Sequence, residues 1–481
     1  MSAHVRSDRS DSQTDEREGS DPDRSWSDEL RVASRLAWPL ALSQVGHHFL
    51  GFVDTYLAGK VSAETLGAIS IGNSVYFGAS VLGMGLMMGL DAVASQALGG
   101  GRARAGRRAL WQGFYLAAAV SVPLVLLMFL VSGSLPAIGV VPELSEGTAG
   151  YINARSVSIL PWLTMTACRS YLQAARLTRP IVVATVVANL FNFVADAVVL
   201  FGDDALVSIG LSPMGLPTLG AAGVGWASTV STLAQALVLA WAVRWVPVPA
   251  GPRSFRRIDR ELAAQIARIG APVGMQLFAE VFIFSYTGVL MGRMGADVAA
   301  AHQVALIYAS LSFSICVGIG ASSSVLVGRA VGQGDARGAR RAGIATLGLA
   351  LAVMVISATI MVSAGESLCR FMIDRDEVVP LATTLLMVAA AFQLVDGVQA
   401  VAAGALRGAG NTRFSLLFNL VGHWVVGIPV GLALCFSAEW GAVGLWWGLT
   451  CGLSVVAVAL AWKFFSITAR PIASVVAHLS E

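Results

Sequence analysis

The sequence predicts an all-α polytopic membrane protein, with twelve transmembrane helices in two pseudo-symmetric six-helix lobes around a central cleft. Three observations carry this. Hydrophobic residues make up 56% of the 481 and charged residues only 13%, against about 25% charged in an ordinary soluble protein. Twelve apolar windows of roughly 20 residues follow one another along the chain, each long enough to cross a bilayer. Arginines gather in the connections after spans 2, 6 and 8, while the connections around 133–147, 203–218 and 437–440 contain no Lys or Arg.

Residues 1–30, MSAHVRSDRSDSQTDEREGSDPDRSWSDEL, are polar and rich in Asp and Ser. Such a segment buries too little surface to offset its chain entropy, so a disordered cytoplasmic tail is expected. Lacking an apolar h-region, it is not a signal peptide. Residues 31–246 form a first lobe with spans at 33–58, 65–91, 109–132, 148–174, 180–202 and 219–245. A cytoplasmic loop, 247–262, leads to a second lobe over 263–466, with spans at 263–292, 297–327, 342–365, 378–406, 414–436 and 441–465. Residues 467–481 are a cytoplasmic tail. Glycine and proline inside many spans predict tilt, kinks and close helix approach.

Orientation follows from the arginines. Connection 2–3 carries Arg102, Arg104, Arg107 and Arg108; connection 6–7 carries Arg253, Arg256, Arg257 and Arg260; connection 8–9 carries Arg329, Arg337, Arg340 and Arg341. The connections around 133–147, 203–218 and 437–440 contain no Lys or Arg. This bias places the even-to-odd loops and both termini in the cytoplasm of a plasma (inner) membrane protein.

The two lobes are related in sequence. From Gly59 to Ala109 the chain aligns without a gap on Gly292 to Ala342, which brings Gly99 onto Gly332 and Arg107–Arg108 onto Arg340–Arg341. Farther on, ARLTR (Ala175–Arg179) meets AGNTR (Ala409–Arg413). Six spans separate the copies, an even number, so both lobes point the same way. Parallel six-helix repeats around a cavity are a transporter layout.

Ionisable groups inside the spans then mark functional candidates, because an isolated charge at bilayer depth is costly. On span 10, Gln393, Asp396 and Gln399 recur every third residue. On span 7, Glu280 is the only ionisable group between Ala271 and Met291, with Gln276 one turn before it. On span 1, Gln44, His47, His48, Asp54 and Thr55 share about a third of the wheel; on span 5, Asn189, Asn192 and Asp196 cluster in the same way. Burial disfavours the charged form of a carboxyl, which suits Glu280 or Asp396 to carrying a proton. Carboxylate and amide oxygens equally make a hard site for Na⁺ at Glu280 and Asp396. The residues leave the choice of coupling ion open.

Other polar groups have blander readings. Asp91 lies at the cytoplasmic interface, Arg155 snorkels from near the outer one, and His302 and His423, able to titrate near neutrality, are as lone buried histidines more often packing residues. Asp203–Asp204 is a solvated turn rather than a metal pair, and the five scattered cysteines fill core positions. No GxxxxGK[ST], GxSxG or HExxH occurs, so neither ATP hydrolysis nor a common hydrolase mechanism is expected, and no cofactor is implied. The formal net charge of +3 gives no footprint for nucleic acid.

The motifs FVDTYLAG (span 1), QALGGG (after span 2), NFVADAVVLFG (span 5), QLFAEVFIF (span 7), AAAHQVAL (span 8) and QLVDGVQAVAAGALRGAGNT (span 10) resemble the multidrug and toxic compound extrusion (MATE) transporters, specifically the NorM-type branch. The resemblance runs from about Ala33 to Phe465. It implies two six-helix lobes with a central cleft and export of small organic, often cationic, drugs and dyes against Na⁺ or H⁺, by a monomer held in membrane lipid. By position, Glu280 and Asp396 match the branch's cation-coupling and substrate carboxylates, while Asp54, Asn192 and Asp196 match an ion or proton site of the first lobe in related branches. Asn189, Gln276, Gln44, His302 and Gln303 are further candidates for ion coupling or substrate binding. Phe392 stands where the branch often has Tyr, keeping a ring face for a cation without the hydroxyl. Cys316 replaces a frequent Pro on span 8, so any bend there falls to Gly318 and Gly320. Two rivals are a flippase for lipid-linked oligosaccharide or peptidoglycan precursors, which needs a basic cleft, and a membrane enzyme using Asp203–Asp204.

Overall fold

The computed structural model describes residues 25–208, 210, 212–249, 256–373 and 375–477, and among them there is no strand. The first lobe contains α1 (Trp26–Val61), α2 (Ala63–Gly99), α3 (Ala103–Gly133), a two-piece α4 (Pro142–Ser156 and Ile159–Ala174), α5 (Arg179–Phe201) and α6 (Gly220–Ala242). The second contains α7 (Arg260–Met294), α8 (Ala296–Gln333), α9 (Ala336–Ser363), α10 (Val379–Gly408), a composite α11 beginning at Thr412 and ending at Ser437, and α12 (Gly441–Ile467). Ten of these are long and apolar enough to cross a membrane by length and composition. The other two are α1 and the broken α4, which lie alongside them in the same bundle.

Several helices start on caps legible in the sequence. Ser25 accepts from the Asp28 N–H at the head of α1, with Asp28 and Glu29 in the first turn, where the helix dipole favours negative charge. Residues 26–30, expected in the tail, are therefore helical; residues 1–24 lie outside the described residues. Asp259 caps α7 and Asp335 caps α9 in the same way. The expected single span 148–174 is instead interrupted at Val157–Ser158. In α11 the turns Val421–Gly427 and Ala433–Ser437 are π-helical. Pro429 offers no N–H to the preceding turn, which removes a helical hydrogen bond where the first π segment stands. The bend considered on span 8 does not break α8, which runs unbroken through Cys316. There Gly318 and Gly320 serve close approach, Gly318 to the backbone of Ala41 and Gly320 to that of Ala400.

The lobes meet through reciprocal contacts. A Cβ on Gly99 would strike the Arg329 backbone, and one on Gly332 would strike that of Gln96. The alignment that matches Gly99 to Gly332 also matches Gln96 to Arg329, so each contact is the other's mate. The same register pairs the Gly85–Gly274 approach with Gly318–Ala41. Reciprocity of this kind is what a two-fold relation between repeats produces.

These approaches all fall in the halves of α1, α2, α7 and α8 nearer the arginine-rich loops. One hydrophobic core spans both lobes, and its second-lobe members, such as Ile266, Val327, Ala405 and Phe464, come from that end. Toward the other end the cores separate, one around Leu57, Ile69 and Tyr151, another around Ile283, Leu385 and Trp446. The lobes are thus joined at the arginine-rich end and parted at the opposite one. The last described residues, read as a tail, partly fasten the joint: Val476 is fully buried, Gln96 of α2 accepts from the Val475 N–H at 2.8 Å, and Gln265 of α7 donates to the Val475 carbonyl. Paired backbone and a buried valine hold what composition alone left free.

Candidate ion and substrate sites

In the first lobe, Asn192 of α5 sits between two carboxylates. Its Nδ2 donates to Asp54 Oδ1 of α1 at 2.7 Å and to Asp196 Oδ2 one turn along α5. Ser228 of α6 donates to the other Asp54 oxygen at 3.1 Å, and Ser231 donates to Asn192 Oδ1 at 3.1 Å. All three central residues are buried: Asp54 is 5% exposed, Asn192 1% and Asp196 0%. The two carboxyl groups lie within hydrogen-bonding reach of each other, and Asp196 Oδ1 has no donor among the described residues. Carboxylates only accept, so this arrangement calls for a proton or a small cation between them.

In the second lobe, Glu280 of α7 draws three amides onto one oxygen. Gln276 donates at 3.1 Å, Gln399 of α10 at 2.9 Å, and Asn419 of α11 also donates. Asp396 lies close enough for its charge to interact with that of Glu280, yet it receives no hydrogen bond among the described residues and is 9% exposed. Glu280 is held by its amides, while both oxygens of Asp396 are left without a donor among the described residues. The third member of the polar strip turns elsewhere: Gln393 accepts from Ser357 of α9, which pairs with Ser312 of α8 at 2.6 Å.

The two sites are not symmetry mates. Carrying the repeat register back along the first lobe places His47 opposite Glu280 and Trp162 opposite Asp396, and those two rings sit 5.9 Å apart. The carboxylates of the first lobe lie instead toward the end where the lobes part.

Other candidates fall differently. Asn189 donates to the Gly46 carbonyl at 2.9 Å, a strut between α5 and α1. Gln44 is half-buried and Gln303 exposed, and neither hydrogen-bonds to a carboxylate of either site. Phe392, expected to offer a ring face to a cation, is 2% exposed, with Trp446 and Phe284 set edge-on to it at 5.8 and 6.1 Å. Its contacts with core aromatics remove it from the cleft. His302 joins the same cluster, its Nδ1 accepting from Trp446 Nε1 at 3.2 Å. Two of the blander readings also change. Arg155 does not snorkel but is 7% exposed over the Tyr76 ring, 3.9 Å from its centroid. Asp91 is 4% exposed in its side chain and ion-paired across the lobes with Arg407.

Sequence reasoning missed Ser228, Ser231 and Asn419. The serines carry little signal in a span with many small residues, but Asn419 is the single amide of its span and could have been found on that ground.

An all-helical bundle of two repeated six-helix units, parted at one end and holding buried carboxylates in each unit, defines a polytopic membrane transporter. The MatE family model matches residues 39–198 and 272–433, in register with the repeats, and the chain belongs to that family. It is a transporter, not an enzyme. It is 33% identical over 93% of its length to the probable multidrug resistance protein NorM of Bradyrhizobium diazoefficiens, covering 96% of that protein. It is 30% identical to the multidrug resistance protein NorM of Aliivibrio fischeri, over 91% of this chain and 94% of that one. Among solved structures, the eukaryotic MATE transporter AtDTX14 superposes with a TM-score of 0.79 at 21% identity, over 92% of this chain and 96% of that one. A MATE protein in the straight conformation superposes at 0.82 and 16% identity, with 92% and 96% covered.

Proposed function

We propose that the chain is a secondary active multidrug exporter of the inner membrane that antiports small organic cations against Na⁺ or H⁺ by alternating access. Both termini are cytoplasmic on this reading, because the arginine-rich loops mark the inner face. The joined end of the lobes then faces inward and the parted end outward.

One observation carries the reading: Asp396 is a mid-span carboxylate without a donor among the described residues, and its charge interacts with that of a Glu280 held by three amides. A bare carboxylate away from bulk water needs a cation. When substrate and coupling ion compete for it, occupancy by one excludes the other, and that exclusion is what exchange requires. The states must also differ in ion affinity, which movement of the lobes between solvated and closed arrangements provides. A flippase for pyrophosphate-linked lipids would need basic groups in the same places, whereas the sites of both lobes are acidic.

The test is efflux of a cationic dye from membrane vesicles, with Na⁺ and pH gradients imposed separately. Glu280→Gln and Asp396→Asn keep volume and hydrogen bonding, so each is expected to abolish gradient-driven efflux at normal membrane insertion. Wild-type efflux in both variants would remove these residues from the mechanism.

A further inference from the structure

Arg155 stands at the end of the first piece of α4, just before the break at Val157–Ser158. The helix C-terminus presents carbonyls there, a setting that favours a cation. Ser158 Oγ donates to the Arg155 carbonyl at 2.6 Å and lies 3.0 Å from Tyr76 Oη. The guanidinium rests on the Tyr76 ring, but its Nε and Nη1 have no hydrogen-bond partner among the described residues. An arginine that is 7% exposed with idle donors is expensive to keep.

It is also level with the acid pair. Thr229 of α6 donates to the Ala154 carbonyl at 2.9 Å, and the adjacent Ser228 donates to Asp54. The Arg155 charge acts on Asp54 of α1 and Asp196 of α5, as well as on Tyr76 of α2 and Tyr151 of its own helix, yet it forms no ion pair with either carboxylate. Among the described residues, then, Arg155 has an unpartnered donor set and Asp196 Oδ1 is an unpartnered acceptor, and the two charges interact without forming an ion pair.

We propose that Arg155 is the built-in counter-cation of the Asp54–Asp196 pair, limiting the first lobe to one monovalent cation and competing with that cation for the carboxylates during the cycle. Two carboxylates and one guanidinium leave one net negative charge, which a single proton or a single Na⁺ neutralises. Without Arg155 the pocket would hold a lone cation too tightly to release it. This rests on the reading of the acid pair as a coupling site.

The experiment measures dye efflux from proteoliposomes against the coupling ion, with pH varied in the absence of Na⁺ in one arm and Na⁺ varied at fixed pH in the other. The arm that activates the wild type identifies the ion. Arg155→Gln is expected to lower the half-activating ion concentration about tenfold, the size of one screened charge interaction at this range, while Arg155→Lys stays within about twofold. Should Arg155→Gln fail to insert, Arg155→Met keeps the stem packed on Tyr76 and carries the same expectation. An unchanged midpoint in an inserted, uncharged variant, with Asp54→Asn impaired, would overturn the proposal alone. Near-normal efflux in Asp54→Asn and Asp196→Asn would overturn the coupling role of the pair beneath it.

Discussion

Arg407 of α10 and Asp91 of α2 form an ion pair across the two lobes, Nε to Oδ2 at 3.1 Å, with side chains 9% and 4% exposed. The pair lies at the joined end, among the glycine contacts that let α2 and α8 touch. Gln96, about a turn farther along α2, reinforces it by donating to the Gly408 carbonyl at 2.9 Å. The charge of Arg169 on α4 also interacts with Asp91, so removing the carboxylate would leave Arg407 buried without its counter-ion and Arg169 without a nearby negative charge.

Asp91→Asn is therefore expected to destabilise the purified protein by about 3–5 kcal/mol, the usual penalty for orphaning one member of a buried pair. Asp91→Leu with Arg407→Met removes both charges and should recover most of that loss. Thermal unfolding in detergent checks both. An unchanged transition in Asp91→Asn would mean the pair does not hold the lobes together.

Asp54 and Asp196 share one amide, so they are expected to act as one site. Asp54→Asn and Asp196→Asn should each impair efflux under a limiting ion gradient, and the double variant should be little worse than either single, because groups in one network are not additive. Additive losses would show two independent sites.

Asn419→Leu removes one of the three amides on Glu280 at similar volume. A hydrogen bond to a charged group contributes about 1.5–3 kcal/mol. Left short of donors, the carboxylate should hold its coupling cation more tightly, and the half-activating ion concentration in vesicle efflux should fall about tenfold. No change would place Asn419 outside the site.

Asp203 lies in the connection after α5, outside the spans, where it accepts from the backbone N–H groups of Met214, Gly215 and Leu216 at 3.0, 2.9 and 3.0 Å. These donors hold its carboxyl below the usual range. A depressed value stabilises the loop above the unfolded value of ~3.9 and loses that contribution as pH falls through the folded value. Protection of the 214–216 amides from hydrogen exchange, taken relative to their intrinsic rates, should accordingly be high at neutral pH and fall below about pH 4, and Asp203→Asn should lower it at neutral pH. Equal protection in the variant at pH 7 would dismiss the staple.

Much of this molecule could be read from the chain. Apolar length marks ten of the twelve helices as long enough to cross a membrane, and the repeat predicts two matching lobes, because each depends on local composition that lipid and water sort directly. The carboxylates were legible for the same reason: Glu280, Asp396, Asp54 and Asp196 stand out where a charge is costly. Among their partners Asn192, Gln276 and Gln399 were legible too, whereas Ser228, Ser231 and Asn419 were not. Whether Arg155 reaches the surface or turns inward, whether Asp91 meets solvent or Arg407, and whether Phe392 faces the cleft or Trp446 depend on how helices distant in sequence rotate against one another. The break in α4, the glycine contacts and the π turns of α11 accompany those rotations; glycine and proline within a span announce a kink or a close approach, but not which helix is approached. Local chemistry decided which groups enter the membrane; packing between helices decided which of them meet.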